Sequence, residues 1–342
     1  MTTRILICDD SALARKQMAR ALPEGLRGDV SYAKDGVEAL EKLRRHEAEL
    51  MFLDLNMPEM DGYQVLEQIR EEDLPVMTIV VSGDIQPEAR ERVKKLGAID
   101  FIKKPTETCT VLDLLVEYGV YRPGELEDSA LQDSSLKSTG SAAPEISVSL
   151  NDYLQEISNV AMGRSSDLLA RLLRVFVKQP IPKVAFLANS ELHMAISSVS
   201  DSDTYSAVCQ GFTGAGIAGE ALLLFADASF REMAEMLHYD TLVGEAVNVE
   251  VLMDMSSILF GAFLKGIGDQ LDLKLSLGHP TVLGQHRQIT ELLEHHSARE
   301  EQLLCIEICY ALEDRDIECD MLILLTEDSV PFLEDRLQYL VD

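Results

Sequence analysis

Five side chains in the first third of the chain have the types and the order for phosphorus chemistry: the pair Asp9 and Asp10, then Asp54, Ser82 and Lys104. Each stands at or just past the carboxyl end of a short apolar run. In an open α/β sheet, reactive groups collect at those strand ends. Three carboxylates brought into one pocket repel one another. A divalent cation relieves the repulsion, and Mg2+ favours carboxylates together with waters and a phosphate oxygen. Asp54 then serves as a nucleophile toward phosphorus, and the Lys104 ammonium and Ser82 hydroxyl hold the incoming phosphoryl oxygens.

A second set lies further along. Asp152, Glu156 and Asn159 are spaced four and three apart, which returns to nearly one azimuth on a helix. Pro182 follows Asn159 after 22 residues, and the whole arrangement recurs 98 residues later as Glu250, Asp254, Ser257 and Pro280. The apolar stripe beside it recurs at the same offset, Tyr153, Ile157 and Val160 answering to Val251, Met255 and Ile258. A repeat of this kind implies a duplicated unit that presents one surface chemistry twice. The copies are unequal: Asp254 is one methylene shorter than Glu156, and Ser257 lacks the amide of Asn159.

The elements that must position these groups follow from periodicity. Over residues 1–122, apolar runs at Arg4–Cys8, Val30–Ala33, Leu50–Leu53, Thr78–Ser82 and Ile99–Lys103 alternate with amphipathic stretches at Ala12–Ala21, Val37–His46, Gly62–Arg70, Pro87–Leu96 and Cys109–Tyr118. Five strands alternating with five helices predict a doubly wound α/β domain around a parallel sheet. Residues 123–145, with Pro123, Gly124, Gly140, Pro144 and scattered Ser, Asp and Glu, show no period and read as a flexible linker. Residues 146–342 hold the duplication. Each half opens on an amphipathic helix and later runs an apolar strand into a capped helix, at Leu222–Phe225 before Ser229 and Leu322–Leu325 before Ser329. Ser229 with Glu232 fits a capping box, and Leu303–Leu312 reads as a further strand. The expected architecture is α/β with pseudo-two-fold symmetry and an extended sheet.

Composition narrows the partners. The chain has 342 residues, 59 acids against 30 bases and a net charge of −29, of which residues 123–342 carry −23. Such a domain repels phosphate backbones and anionic lipid, so nucleic acid and membrane are excluded as expected partners. The six cysteines form no C-x-x-C pair, and His295 and His296 sit in a polar stretch as solvated side chains. Reduced thiols, no export signal and no apolar run of membrane-spanning length point to a cytoplasmic protein.

The runs Cys8-Asp9-Asp10-Ser11, Leu53-Asp54-Leu55-Asn56-Met57-Pro58, Ser82-Gly83 and Lys104-Pro105 resemble the receiver domain of bacterial response regulators over residues 1–122. The resemblance implies a flavodoxin-like fold with Asp54 as phosphoacceptor. It implies Mg2+ bound by Asp10, Asp54 and the Asn56 backbone carbonyl with help from Asp9, switch positions at Ser82 and Phe101, a cis bond before Pro105, and phosphorylation by a histidine kinase. Residues 146–342 resemble the CheC, CheX and FliY phosphatases, whose pattern Asp152, Glu156, Asn159 and Pro182 match in full. That likeness implies hydrolysis of the aspartyl phosphate of a separate CheY-like receiver. Asn159 would orient the water, Glu156 would pair with the substrate's lysine, and Asp152 and Pro182 would support the helix surface. Glu250, Asp254, Ser257 and Pro280 would form a degenerate second site. The same family also includes non-catalytic adaptors that bind receivers or the deamidase CheD.

Overall fold

The structure, a computed structural model, describes residues 3–122, 149–188, 204–240, 244–288, 302–315 and 317–341. The expected linker, residues 123–145, and His295 and His296 lie outside the described residues. The chain divides into two compact units, Met1–Ser82 with Pro87–Asp152 and Gly83–Gln86 with Tyr153–Asp342.

The first unit is a five-stranded sheet in the order β2-β1-β3-β4-β5, with every pair parallel. Its strands are β1 Ile5–Cys8, β2 Val30–Ala33, β3 Leu50–Leu53, β4 Met77–Ser82 and β5 Asp100–Lys103; its helices are α1 Ala12–Ala21, α2 Gly36–Arg44, α3 Gly62–Glu71, α4 Pro87–Lys95 and α5 Thr108–Glu117. Side chains alternate across a strand. Leu6, Cys8, Met51 and Leu53 therefore join Leu40, Leu43, Val65 and Leu66 of α2 and α3 on one face. Ile5, Ile7, Leu50 and Phe52 join Met18 of α1 and Val111 and Leu115 of α5 on the other. Helix starts follow local chemistry: Ser11 and Asp35 cap α1 and α2 through their side chains, and Asp61 with Gln64 forms a full capping box on α3.

The second unit runs through two series of similar make-up. The first is α6 Leu150–Leu173, β6 Val177–Lys178, β7 Lys183–Ala188, β8 Tyr205–Gly214, β9 Ile217–Ala226 and α7 Phe230–Met236. The second is α8 Glu245–Leu271, β10 Ser276–Leu277, β11 Thr281–Arg287, β12 Gln302–Leu312, β13 Glu318–Thr326 and α9 Val330–Val341. All strands join one antiparallel sheet of eight, with β9 against β13 at its centre. The series are interlaced: β6 and β7 pair with β12, while β10 and β11 pair with β8. Each short strand pair that follows a long helix thus lies against the long strand of the other series. Ser165 on α6 bonds the buried Tyr310 hydroxyl on β12 at 2.7 Å. The Gln270 amide on α8 donates to the Ile157 carbonyl on α6 at 2.9 Å, and Arg164 pairs with Asp269 at 2.7 Å.

Two expectations need correction here. Ser229 does not cap α7, because a 3-10 turn over Asp227–Ser229 leads into the helix and already holds Ser229 in the helical region. Ser329, at the matching place before α9, accepts from the Ala218 N–H and donates to the Ala218 carbonyl, both at 3.0 Å, so it ties the turn to β9. And one described helix, α8, is long and apolar enough to cross a membrane by length and composition. Only Asp254 and Lys265 interrupt its stretch from Val251 to Gly268. Its apolar face, including Val251, Met255, Leu259 and Phe263, is buried within the unit, as in the core helix of a packed domain.

Candidate functional site

Asp9 follows β1, Asp54 follows β3, and Lys104 follows β5, so parallel pairing brings three loop starts to one edge of the sheet. Asp9, Asp10 and Asp54 each offer a carboxylate oxygen within 4.8 Å of the others. The Lys104 ammonium sits 2.7 Å from Asp9 Oδ2 and 3.2 Å from Asp54 Oδ1, and all three residues are buried. One lysine cannot neutralise three carboxylates, so the charge balance and the oxygen donor set both fit a divalent cation. The Ser82 side chain is fully buried at the end of β4, and Phe101 is half-buried against the α3 side of the core. The Asn56 N–H donates to Asp54 Oδ2 at 3.1 Å, which fixes the carboxylate rotamer. The Lys104–Pro105 bond is cis.

Further residues brace this pocket. Arg15 Nη1 donates to the carbonyls of Asp9 at 2.6 Å and Asp10 at 3.0 Å, and the Ser11 N–H donates to Asp9 Oδ1 at 2.9 Å. Sequence reasoning passed over Arg15. Its signal was an arginine one turn into the helix that opens directly behind the acidic pair. Gly62 matters as well, since a Cβ there would lie 2.3 Å from the Asp54 carbonyl oxygen. No side chain fits between the start of α3 and the Asp54 loop. Burial and the neighbouring Asp9 and Asp54 charges push the Cys8 thiol well up, so it is an inert core group.

The second set divides between the two long helices. On α6, Glu156 and Asn159 are only 5 % and 4 % exposed. Asn159 Oδ1 is a buried acceptor with no hydrogen-bond partner among the described residues. Asp152 Oδ2 accepts from both the N–H and the hydroxyl of Ser149 at 2.8 Å, and the Asp152 N–H donates to Ser149 Oγ at 3.2 Å. Asp152 and Ser149 therefore form a reciprocal cap on the start of α6, a role that explains why an acid suits this position. Pro182 is buried just before β7. On α8, Glu250, Asp254 and Ser257 are all exposed, and Pro280 is half-buried. The Tyr239 hydroxyl donates to Asp254 Oδ2 at 2.6 Å.

Residues 5–115 match the family model described as the response regulator receiver domain. The chain is 35 % identical over 115 residues to the chemotaxis protein CheY of Bacillus subtilis, covering 34 % of this chain and 96 % of that protein. The chain belongs to the response regulator family. This receiver puts it in two-component signalling, with an acidic cluster of the kind receivers use to bind a divalent cation and accept phosphate on aspartate. It is also 39 % identical over 104 residues to a protein-glutamate methylesterase/protein-glutamine glutaminase of Archaeoglobus fulgidus, covering 30 % of each chain. The receiver match thus spans about a third of that relative's length. Among solved structures, a chain of the CheX–CheY–BeF3–Mg complex from Borrelia burgdorferi is 30 % identical, with 35 % of this chain and 90 % of that chain covered and a TM-score of 0.33.

Proposed function

We propose that this response regulator is phosphorylated on Asp54 by a histidine kinase and that its second unit hydrolyses the aspartyl phosphate of a separate CheY-like receiver. In the first unit, Asp10 and Asp54, with the Asn56 carbonyl and with Asp9 beside them, hold Mg2+. The ion neutralises charge on the phosphoryl oxygens. Lys104 and Ser82 then hold those oxygens while Asp54 accepts the phosphoryl group.

The second unit follows the CheC-like pattern. The observation that carries the reading is Asn159: its motif neighbours are complete, and its amide oxygen is held out of water with its acceptor capacity unused. Buried polar groups are nearly always paired, and the Asn159 amide oxygen, like the Ser158 and Ser166 hydroxyls on the same helix, is left with acceptor capacity to use. An aspartyl phosphate already carries its own cation and lysine. What remains is to place a water in line with the phosphorus, and a neutral side chain with both a donor and an acceptor does this. Glu156 pairs with the substrate's lysine and fixes the docking. Asp152 acts through the helix cap.

The exposure of Glu250, Asp254 and Ser257 on α8 favours a second reading, in which the unit is a non-catalytic adaptor for receivers or a CheD-like partner and works through that face. Catalytic amounts of the purified chain added to a phosphorylated CheY-like receiver separate the two. Many phosphates released per chain support the phosphatase. An effect that stops at one receiver per chain supports the adaptor.

A further inference from the structure

We propose that α6 takes this chain's own phospho-Asp54 as a substrate and recognises it through the loop Gly83-Asp84-Ile85-Gln86. The inference rests on the phosphatase reading of α6 and adds a substrate to it. Gly83–Gln86 follows β4 directly in the chain, yet by its packing it belongs to the second unit. Gly83 lies backbone to backbone on α6. A Cβ on it would stand 3.1 Å from the Asn159 carbonyl oxygen and 3.3 Å from the Val160 Cα. On the other side of the contact, a Cβ on Gly163 would overlap the Gly83 carbonyl and lie 3.2 Å from the Asp84 nitrogen. The approach of loop to helix thus needs glycine at both places.

The far end of the loop is read by hydrogen bonds. The fully buried Gln86 amide serves Val177 of β6 as a strand partner would: its Oε1 accepts from the Val177 N–H at 2.9 Å and its Nε2 donates to the Val177 carbonyl at 2.8 Å. Nε2 also donates to Asp84 Oδ1 at 3.1 Å, and the same oxygen accepts from the Gln86 N–H at 3.0 Å. Both amide hydrogens are used, and a different side chain would leave the Val177 groups short of these partners. The surface therefore selects a receiver loop with glycine first and glutamine fourth, and this chain carries one. Gly83 comes directly after Ser82, so the seat beside the Asn159 backbone holds the stretch of chain next to the phosphoryl site. In the reaction the water oxygen bonds to phosphorus and the bond from phosphorus to the Asp54 carboxylate oxygen breaks, its electron pair staying on the carboxylate. The water protons leave with inorganic phosphate and solvent.

The test follows phospho-Asp54 in the full chain by Phos-tag gels, in Mg2+, after a small phosphodonor has been removed. The parent chain is expected to lose the acyl phosphate at a rate independent of protein concentration, because loop and helix share one chain. Asn159→Ala and Gly163→Ala are each expected to lengthen its lifetime about tenfold or more, within the range for a misplaced reacting group. Gly163→Ala favours the helix itself, so it disturbs the seat of the loop and leaves α6 formed. Docking is read separately, by amide hydrogen exchange at Val177, which is expected to quicken in Gly163→Ala and in Gln86→Ala. A rate that rises with protein concentration, an unchanged lifetime in Gly163→Ala, or unchanged Val177 exchange in both loop-contact variants overturns the proposal. If phospho-Asp54 outlasts none of these changes differently while an added CheY-like receiver is still turned over through Asn159, self-hydrolysis falls and the phosphatase reading stands. If Asn159→Ala slows the loss of phosphate from neither receiver, the phosphatase reading is what fails.

Discussion

Replacing Lys104 by methionine removes the ammonium that pairs with Asp9 and Asp54 in the described structure. Its ammonium lies 2.7 Å from Asp9 and 3.2 Å from Asp54, with all three side chains under a tenth exposed. At an effective dielectric of about 20, each contact is worth on the order of 5 kcal/mol before desolvation is set against it. Removing one partner of such a buried pair costs about 3–5 kcal/mol, because the remaining charge is left without compensation. Local stability is read in the intact chain by amide hydrogen exchange at β1 and β3, the strands that lead into Asp9 and Asp54. A loss of about 3–5 kcal/mol speeds exchange through unfolding of the receiver by roughly 10²- to 5 × 10³-fold. In chelator the full effect is expected. In saturating Mg2+ much of it is recovered, since a dication held by the same carboxylates stabilises by about 2.7 kcal/mol at a hundred times its dissociation constant. Equal protection in Lys104→Met and the parent chain, in chelator, would refute the charge argument. Equal loss with and without Mg2+ would refute the cation site.

Other outcomes follow from single contacts. Asp54→Asn is expected to abolish acyl-phosphate formation from a small phosphodonor, seen as loss of the phosphorylated band on Phos-tag gels. Asp152→Ala is expected to cost about 1 kcal/mol of α6 stability through the lost cap, measured by urea unfolding, while Asp152→Asn keeps most of it. Ser329→Ala takes the hydroxyl acceptor from the Ala218 N–H and one of two hydroxyl donors from the Ala218 carbonyl, Thr326 Oγ1 remaining at 3.3 Å, and is expected to lower stability by about 1–3 kcal/mol. Brief alkylation of the native chain is expected to label the exposed Cys109 first. Cys305, pushed up to about 12 by burial, and Cys8 and Cys319, also raised by burial, react only after unfolding.

The receiver was legible because its signals are local and redundant. Strand runs such as Leu50–Leu53 are bounded by turns, and the acids stand immediately after them, so pattern and chemistry give one answer. In the second unit the long helices and β12 were readable from their apolar period. The hairpin β8–β9 was not, although Ala215 and Gly216 both turn with positive φ between two ten-residue strands. A two-residue turn with positive φ at both positions suits the twist of a hairpin, and Thr-Gly-Ala-Gly-Ile was the available clue. The interlacing of β7 with β12 and β11 with β8 left no local trace, since it depends on strand pairing over more than a hundred residues in the first case. Burial of Glu156 and Asn159 was also beyond the sequence. Spacing gives an azimuth on a helix, and it does not say what packs over that azimuth. The same limit hid Tyr239, whose tie to Asp254 spans fifteen residues and a change of helix.

The role of the Asn159 carboxamide is tested most directly by phosphate release from a phosphorylated CheY-like receiver at catalytic amounts of the chain. The parent chain is expected to turn over repeatedly. Asn159→Ala, with an unchanged circular dichroism spectrum and receiver affinity, is expected to fall by about 10²-fold or more, the scale of losing one group that orients a reactant. Hydrolysis at the parent rate in that variant would contradict the claim.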